Sequence, residues 1–584
     1  MKTKLTIVLT LLVVTMSVSL FAQINPPSEP VIIQGDTLLV FPTYNDTTFD
    51  ALNKWIDYGF SLNPPVKVFR LARNAIYKVS HTISTDQTLN IVALKPDAEN
   101  APPYIVGATD LNNEFPGAFI VNNGAVIAKN LYFCGSDIEA QVIGEGAQVG
   151  NFIVVEAENT TNLIDGCYFE WGRSSFECNA KGTNITFTNN ICMNNCSGQA
   201  GKWSMWWGFG VLLNGLPAGQ VIMKNNTFIN VPGPFFFNWK TLTDYEEFDH
   251  NTIINNCIYP FFNTSWTNAR MTNNIFLNVM CEGIERQRLN VDTSLVQGIV
   301  NLDSLSRYGL DSLYAAKEGI SRSEVESHRK FDILNNFVGW TQEIKDYWAA
   351  CPDTLRPETF MNERVQAMFD NDTDYPYLVE ENTYTPEEYG YPQFVGGYGG
   401  KKTMDLFIGY MTNVLRRGGT EPTRYYYCPG EPDPQPNPAL VWPLQFDLRI
   451  ANTALVGTDG KPLGDLNWYP EYAERWDPDV LPTAVETVHA LPVEFKLNQN
   501  FPNPFNSTTI IQYTLDKASD VKVTVFNILG EKVKTLVNKN QAPGKYSVEW
   551  NGTNAIGQQV VSGIYFCKLE TENGSQINKM LLLK

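Results

Sequence analysis

The residues best suited to chemistry are a small set of cations, carboxylates and tryptophans. Lys224 and Asp249 occupy the same position of two related eight-residue segments, MKNNTFIN and FDHNTIIN, and His250 follows Asp249 directly. On adjacent strands such positions sit about 5 Å apart, so the pair is either a base and a carboxylate on one wall or an exposed salt bridge. His250 is either an imidazole free for proton transfer or a stand-in for Asn at a bend, since the related segments carry Asn189, Asn225 and Asn273 there. Arg173 lies in EWGRSSFE with Glu170 and Glu177, Lys202 borders the cluster WSMWW, and Lys240 follows PFFFNW. Each of these cations is either part of a site or an ordinary surface charge. Trp203, Trp206, Trp207 and Trp239 offer flat apolar rings on which a sugar can stack; alternatively, the three in GKWSMWWGFG form a hydrophobic flap. The acidic run Asp244, Glu246 and Glu247 reads as solvated loop charge. No Cys/His spacing of a metal site is present, which leaves the metal unknown.

These residues must be positioned by a repeat. Seven segments share, strictly or loosely, the order apolar, two spacers, Asn, spacer, apolar, apolar, Asn. They are IAKNLYFC, LIDGCYFE, FTNNICMN, MKNNTFIN, FDHNTIIN, MTNNIFLN and ILNNFVGW, starting at 127, 163, 187, 223, 248, 271 and 333. The steps are 36, 24, 36, 25, 23 and 62 residues, and self-similarity near 24 residues signals a solenoid. The first apolar position (Ile127, Leu163, Phe187, Met223, Phe248, Met271, Ile333) and the second (Tyr132, Tyr168, Cys192, Phe228, Ile253, Phe276, Val338) are expected to face a continuous core. Aromatic and β-branched residues between Asn and Gly suit strands, and about 24 residues fit three short strands and three bends. Asn190, Asn226, Asn251, Asn274 and Asn336, with Asn194, Asn230, Asn255 and Asn278, are expected at the bends, where Asn tolerates left-handed backbone. Stacked amides can also bond from coil to coil.

With this pattern in hand, the chain resembles the right-handed parallel β-helix of secreted pectate-lyase-like proteins. The fold class expected is all-β, a right-handed parallel β-helix solenoid with helical and loop insertions, followed by a small C-terminal β-sandwich. ANTALVGTDGKPLGDLNWYP, from Ala451, resembles the closing segment of such bacterial proteins. The resemblance implies cleavage of acidic polysaccharide, either by paired carboxylates or by β-elimination. Elimination needs a cation to neutralise the uronate and a base to take the α proton, which makes Ca2+ the possible cofactor, although no diagnostic version of either arrangement is present. Insertions break the period at 198–217, 282–330 and 341–445; LDSLYAAKEGISRSEVESHRK, TQEIKDYWAA and PETFMNERVQAMF read as helical. Such segments are expected to pack on the flank or to cover the open end of the solenoid.

The texture changes near Leu491. VKVTVFNI and KYSVEW, separated by turn signals such as APGK and NGTNAIGQ, read as strands of a small sandwich. NFPNPFNSTT, VFNILGEKV, WNGTNAIGQQVVSGIYF and the terminal KMLLLK resemble the type A sorting domain of the type IX secretion system of Bacteroidetes-like bacteria. That resemblance implies the secretion machinery as a partner and placement outside, or on the outer-membrane surface of, a Gram-negative cell. MKTKLTIVLTLLVVTMSVSLFAQ reads as a signal peptide, with no transmembrane segment once it is removed.

The expected organisation is a signal peptide at 1–22, an N-terminal cap segment at 23–88, the β-helix at 89–480, a linker at 481–492 and the sorting domain at 493–584. With 43 Lys+Arg against 62 Asp+Glu, the net charge of −19 disfavours nucleic acid and anionic lipid as partners. It is also an awkward charge for a polyanionic substrate. The ten cysteines are expected to be mostly buried thiols. The function expected is therefore that of a secreted or cell-surface monomer acting on or binding polysaccharide. It is either a uronate lyase-like enzyme or a non-catalytic glycan-binding, adhesin or structural solenoid.

Overall fold

Three strands and three bends per coil account for the first unit of the chain. The computed structural model describes residues 27–472 and 496–582 with interruptions, the longest at 138–148, 196–207, 286–297 and 413–441. Two compact units divide at Pro482/Thr483. Within one coil of the first unit, Ala218–Lys224 gives a strand to the first sheet, Thr227–Ile229 to the second and Phe236–Phe237 to the third; Thr243–Asp249 then lies beside Ala218–Lys224 in parallel register. Repetition builds a twelve-stranded first sheet, a nine-stranded second and a six-stranded third, a parallel β-helix. Parallel stacking already begins at Thr37–Val40 against Val68–Leu71, within the segment expected as a cap. Phe209–Leu212, inside the range expected as the first insertion, is a strand of the third sheet.

Register corrects the repeat in its two earliest members. Ile164 stands beside Phe187, and Ala128 beside Ile164, so these two inward positions lie one residue after the expected Leu163 and Ile127. Likewise Phe133 and Phe169, rather than Tyr132 and Tyr168, align with Cys192, Phe228, Ile253, Phe276 and Val338. The interior is aromatic: Phe133 and Phe169 stack at 5.1 Å and 3°.

The asparagines split into two duties. At the first bend the left-handed residue is the one before the expected Asn: Asn189, Asn225, Asn273 and Asn335 have φ of 59°, 51°, 61° and 53°, and His250 takes the same place at 52°. Asn190, Asn226, Asn251, Asn274 and Asn336, all fully buried, form the ladder. Each side-chain amide donates to the next Asn Oδ1, at 3.1, 2.9, 2.9 and 2.8 Å in turn. At the second bend Asn194, Asn230, Asn255 and Asn278 are left-handed as expected, with φ of 55°, 57°, 57° and 53°. They form a weaker ladder of opposite sense, which ends where Asn194 donates to buried Glu170 at 3.0 Å.

The insertions are helical where composition asks for it: Asp311–Glu318, Val325–His328, Gln342–Ala349 and Glu363–Phe369. Fully buried Arg329 fastens the first of these insertions, donating to the carbonyls of Trp266 and Asp303 at 2.7 and 2.6 Å and pairing with Glu326 at 2.8 Å. The segment 446–472 runs as a strap across the outside of the second sheet. Its Phe446, Leu448, Leu463 and Leu466 cover outward-facing Tyr132, Tyr168, Ile191, Ile229 and Ile275 in one apolar cluster. Polar contacts fix its path, including Thr227 Oγ1 to Asp465 at 2.7 Å and Asn467 Nδ2 to Asn189 at 3.0 Å.

The second unit is an antiparallel sandwich. Lys496–Leu497, Thr509–Leu515 and Gly544–Trp550 form one sheet; Ser519–Asn527, Lys532–Gln541, Gly563–Thr571 and Gly574–Leu582 form the other. Ile511, Val523, Trp550, Leu569 and Met580 meet in its core.

Candidate functional site

Lys224, Asp249 and His250 gather at the bend between the first and second sheets. Lys224 and Asp249 are register partners, as their spacing predicts. The ammonium of Lys224, however, pairs with Glu247 at 2.7 Å. Asp249 accepts from Thr272 Oγ1 at 2.7 Å and from Asn273 Nδ2 at 2.8 Å. The same arrangement recurs at Asp165, which accepts from Thr188 at 2.8 Å and Asn189 at 2.6 Å. His250, only 2% exposed, lies under the strap, with Nδ1 3.1 Å from the Gly464 carbonyl and Nε2 3.3 Å from Asp459. Burial raises the pKa of Asp459, but the Lys461 backbone N–H and the neighbouring His250 and Lys461 outweigh it and hold that carboxyl below its ordinary value.

Arg173, Lys240 and Trp239 belong to a different edge, along the third sheet and its return to the first. The Arg173 guanidinium lies 5.7 Å from the ring centre of buried Phe209. An aromatic row continues through Phe237 and Phe262, stacked at 4.7 Å, to Trp239 at 5.4 Å from Phe262. Trp239 is 41% exposed, but one ring face carries the Lys240 ammonium at 3.7 Å. A sugar stacking on that face would displace a cation–π contact. Lys202, Trp203, Trp206 and Trp207 lie outside the described residues. The candidates therefore divide among three bends: Lys224, Asp249 and His250 where strands of the first sheet end, Arg173 where a strand of the third begins, and Trp239 and Lys240 just after a strand of the third.

The acidic run also differs from its expectation as loop charge. Asp244, Glu246 and Glu247 are strand residues, and Glu246 faces inward between Val221 and Ala269. Burial pushes its carboxyl up to about 8, against the hydrogen bonds from Thr243 and Asn263.

Among the described residues, a concavity occurs where the repeat stops. A cleft of about 470 Å³ opens at the end of the solenoid, with Val338, Gly339, Phe360 and Met361 among its lining residues. That volume lies in the range of small-ligand sites, roughly 300–1,000 Å³. Trp340 and Trp348 form an apolar wall, their ring centres 5.6 Å apart. Their indole N–H groups donate to the carbonyls of Val279 and Cys281 at 2.7 and 2.6 Å, which fixes both rings. Glu380, Thr383, Thr385, Glu387, Lys345 and Gln366 supply the polar lining. Lys345 and Glu387 pair at 3.2 Å on the exposed rim. Partial burial lowers the Lys345 pKa, but the Glu387 carboxylate and Tyr391 outweigh it and hold the ammonium above its ordinary value. Sequence reading did not reach this cleft, because its residues come from separate capping elements with no shared spacing. Two tryptophans, one just before a short helix and one in its last turn, are the available signal. Among the described residues no group of three or more His, Cys, Asp and Glu could hold a metal ion, and no helix is long and apolar enough to cross a membrane.

No curated protein matches this chain in sequence. Residues 504–575 match the family of the FlgD Ig-like domain, in agreement with the sandwich of the second unit. Dimeric latent PorU from Porphyromonas gingivalis aligns with a TM-score of 0.13 at 18% identity, over 14% of this chain and 9% of its own. PorZ, described as an essential bacterial surface component of the type IX secretion system of Porphyromonas gingivalis, aligns with a TM-score of 0.12 at 17% identity, over 15% of this chain and 11% of its own. The chain spans about a tenth of either of these proteins, and the similarity carries nothing about the solenoid.

Proposed function

We propose that this is an exported, surface-displayed β-helix protein that binds glycans without cleaving them, with the second unit serving as its type IX secretion sorting domain. One observation carries the non-catalytic half: the best base and carboxylate candidates are committed to the scaffold. Lys224 is paired with Glu247, Asp249 repeats the Thr and Asn contacts of Asp165, and His250 is roofed by the strap. Elimination requires a base free to approach the α proton, and none of these three offers one. The binding half rests on a cleft lined by two tryptophans with fixed rings and by several polar side chains. The sorting role rests on the motifs from Asn500 to the terminal KMLLLK and on the sandwich that contains most of them.

The test incubates the mature full chain with alginate, pectate and glycosaminoglycans, with and without calcium, and follows the ultraviolet absorbance of unsaturated uronate. The same chain is run through gels containing a polysaccharide panel. No absorbance, together with retardation by at least one polysaccharide, is expected. A steady rise in absorbance overturns the non-catalytic reading, and mobility unchanged across the whole panel overturns glycan binding. For the sorting role, deleting residues 493–584 in the producing cell should abolish surface display; display retained at the full-length level sinks it.

A further inference from the structure

We infer that the cleft at the end of the solenoid takes a neutral pyranose unit and discriminates against uronates, an inference that rests on the glycan-binding reading. The apolar wall is preorganised. Trp340 and Trp348 are each 7% exposed and have their indole N–H groups bonded to backbone, so they present carbon to the cleft and lose no freedom when a ligand enters. A pyranose has the matching asymmetry, with axial C–H groups on one face and hydroxyls around its edge. The rest of the lining supplies donors and acceptors for those hydroxyls: the Lys345–Glu387 pair, Thr385 and Gln366.

Charge selects the class of sugar. The lining holds two carboxylates, Glu380 and Glu387, against one ammonium, Lys345. That ammonium is already neutralised by Glu387 at 3.2 Å, while Glu380 accepts the Thr383 hydroxyl. A uronate carboxylate entering here would meet like charge with no uncommitted cation in the lining. A neutral hydroxyl edge meets a donor and acceptor pair that it can bridge at no charge cost. The chain's net charge of −19 acts in the same direction at long range, repelling polyuronate before contact.

The experiment is titration calorimetry of the mature full chain with gluco-, manno- and xylo-hexaoses and with galacturonate hexamer, the last with and without calcium. At least one neutral hexaose should bind, and the uronate should bind at least about tenfold more weakly. Glu387→Ala and Thr385→Trp, both at the cleft rim, should weaken neutral binding about tenfold or more by removing an acceptor and by filling the cleft. Unchanged far-ultraviolet circular dichroism and melting temperature in both variants separate this effect from misfolding. Tighter binding of the uronate overturns the charge argument. Neutral binding that both variants leave intact places the site elsewhere and overturns the cleft alone, while glycan binding stands. If no oligosaccharide binds and the polysaccharide panel retards nothing, the glycan-binding reading fails with it.

Discussion

Glu246 gives the solenoid a stability that falls as the solution becomes alkaline, and its size can be worked out. The residue is 2% exposed and faces the interior, with Asn263 Nδ2 donating to Oε1 at 3.0 Å. Burial raises its pKa from 4.5 to about 8, so the folded state binds a proton that the unfolded chain releases. For an acid shifted upwards, the contribution is complete below the unfolded value near 4.5 and is lost as pH climbs to the folded value near 8. At about 1.4 kcal/mol per pH unit, easing as the folded group itself ionises, the loss is roughly 2 kcal/mol between pH 6 and 8, and about 5 kcal/mol over the whole window. Glu246→Gln keeps an oxygen for Asn263 and removes the ionisation. Calorimetric melting of both proteins from pH 5 to 9 should therefore give curves that diverge as pH rises, with the variant the more stable at pH 9. Only the difference between the curves is diagnostic, because other groups titrate equally in both. Parallel profiles across that range would refute the assignment of Glu246 as a proton held by burial.

Three further outcomes follow from buried polar order. Asn251→Leu removes the acceptor for the Asn226 backbone N–H and side-chain amide and the donor to the Met223 carbonyl, and should cost about 3–5 kcal/mol in urea unfolding. Exposed Asn268→Ala should stay within about 0.5 kcal/mol, and equal effects would contradict the ladder's importance. Arg329→Met leaves Glu326 and two backbone carbonyls without their buried donor, so amide exchange across 301–329 should accelerate at least tenfold, and unaltered protection would count against the anchor. Cys192 is fully buried and burial pushes its thiol pKa well above the ordinary range, so a thiol-labelling disulfide should leave it unmodified until the chain is unfolded; labelling in the native protein would contradict its placement.

The repeat was legible because each coil spends an asparagine at the same two corners. The one-residue slip at Ile127 and Leu163 has a local cause: each is followed by another apolar residue, Ala128 and Ile164, so alternation does not say which of the two points inward. The left-handed residue behind them, Asn130 at φ 57° and Gly166 at 64°, does settle it. Twin asparagines hid the division of labour at the first bend, since Asn189 and Asn190 are both compatible with a turn and only stacking assigns the second to the ladder. Glu246 was hidden among acids because its burial comes from Val221 and Ala269 on neighbouring coils. The strap's route was beyond reach for the same reason, joining residues 213 and 278 positions apart.

Periodicity itself explains why the cleft sits where it does. Inside the array, every coil offers its polar corner groups to an identical neighbour, and ladders such as Asn226 to Asn251 consume them. Outward apolar positions of the second sheet are consumed by the strap. At the last coil, Leu378–Glu381 ends the first sheet and only a single parallel bridge from Tyr384 continues the second beyond Phe337–Gly339, and an open edge must be covered. Irregular helices do the covering, and irregular packing leaves space between Trp348 and Glu387 that a further coil would have filled. Side chains there line a cavity because no repeat claims them. The same reasoning separates Lys345 from Lys224: both pair with a glutamate, but Lys224 does so at a corner built into the stack, and Lys345 on the rim of a cavity.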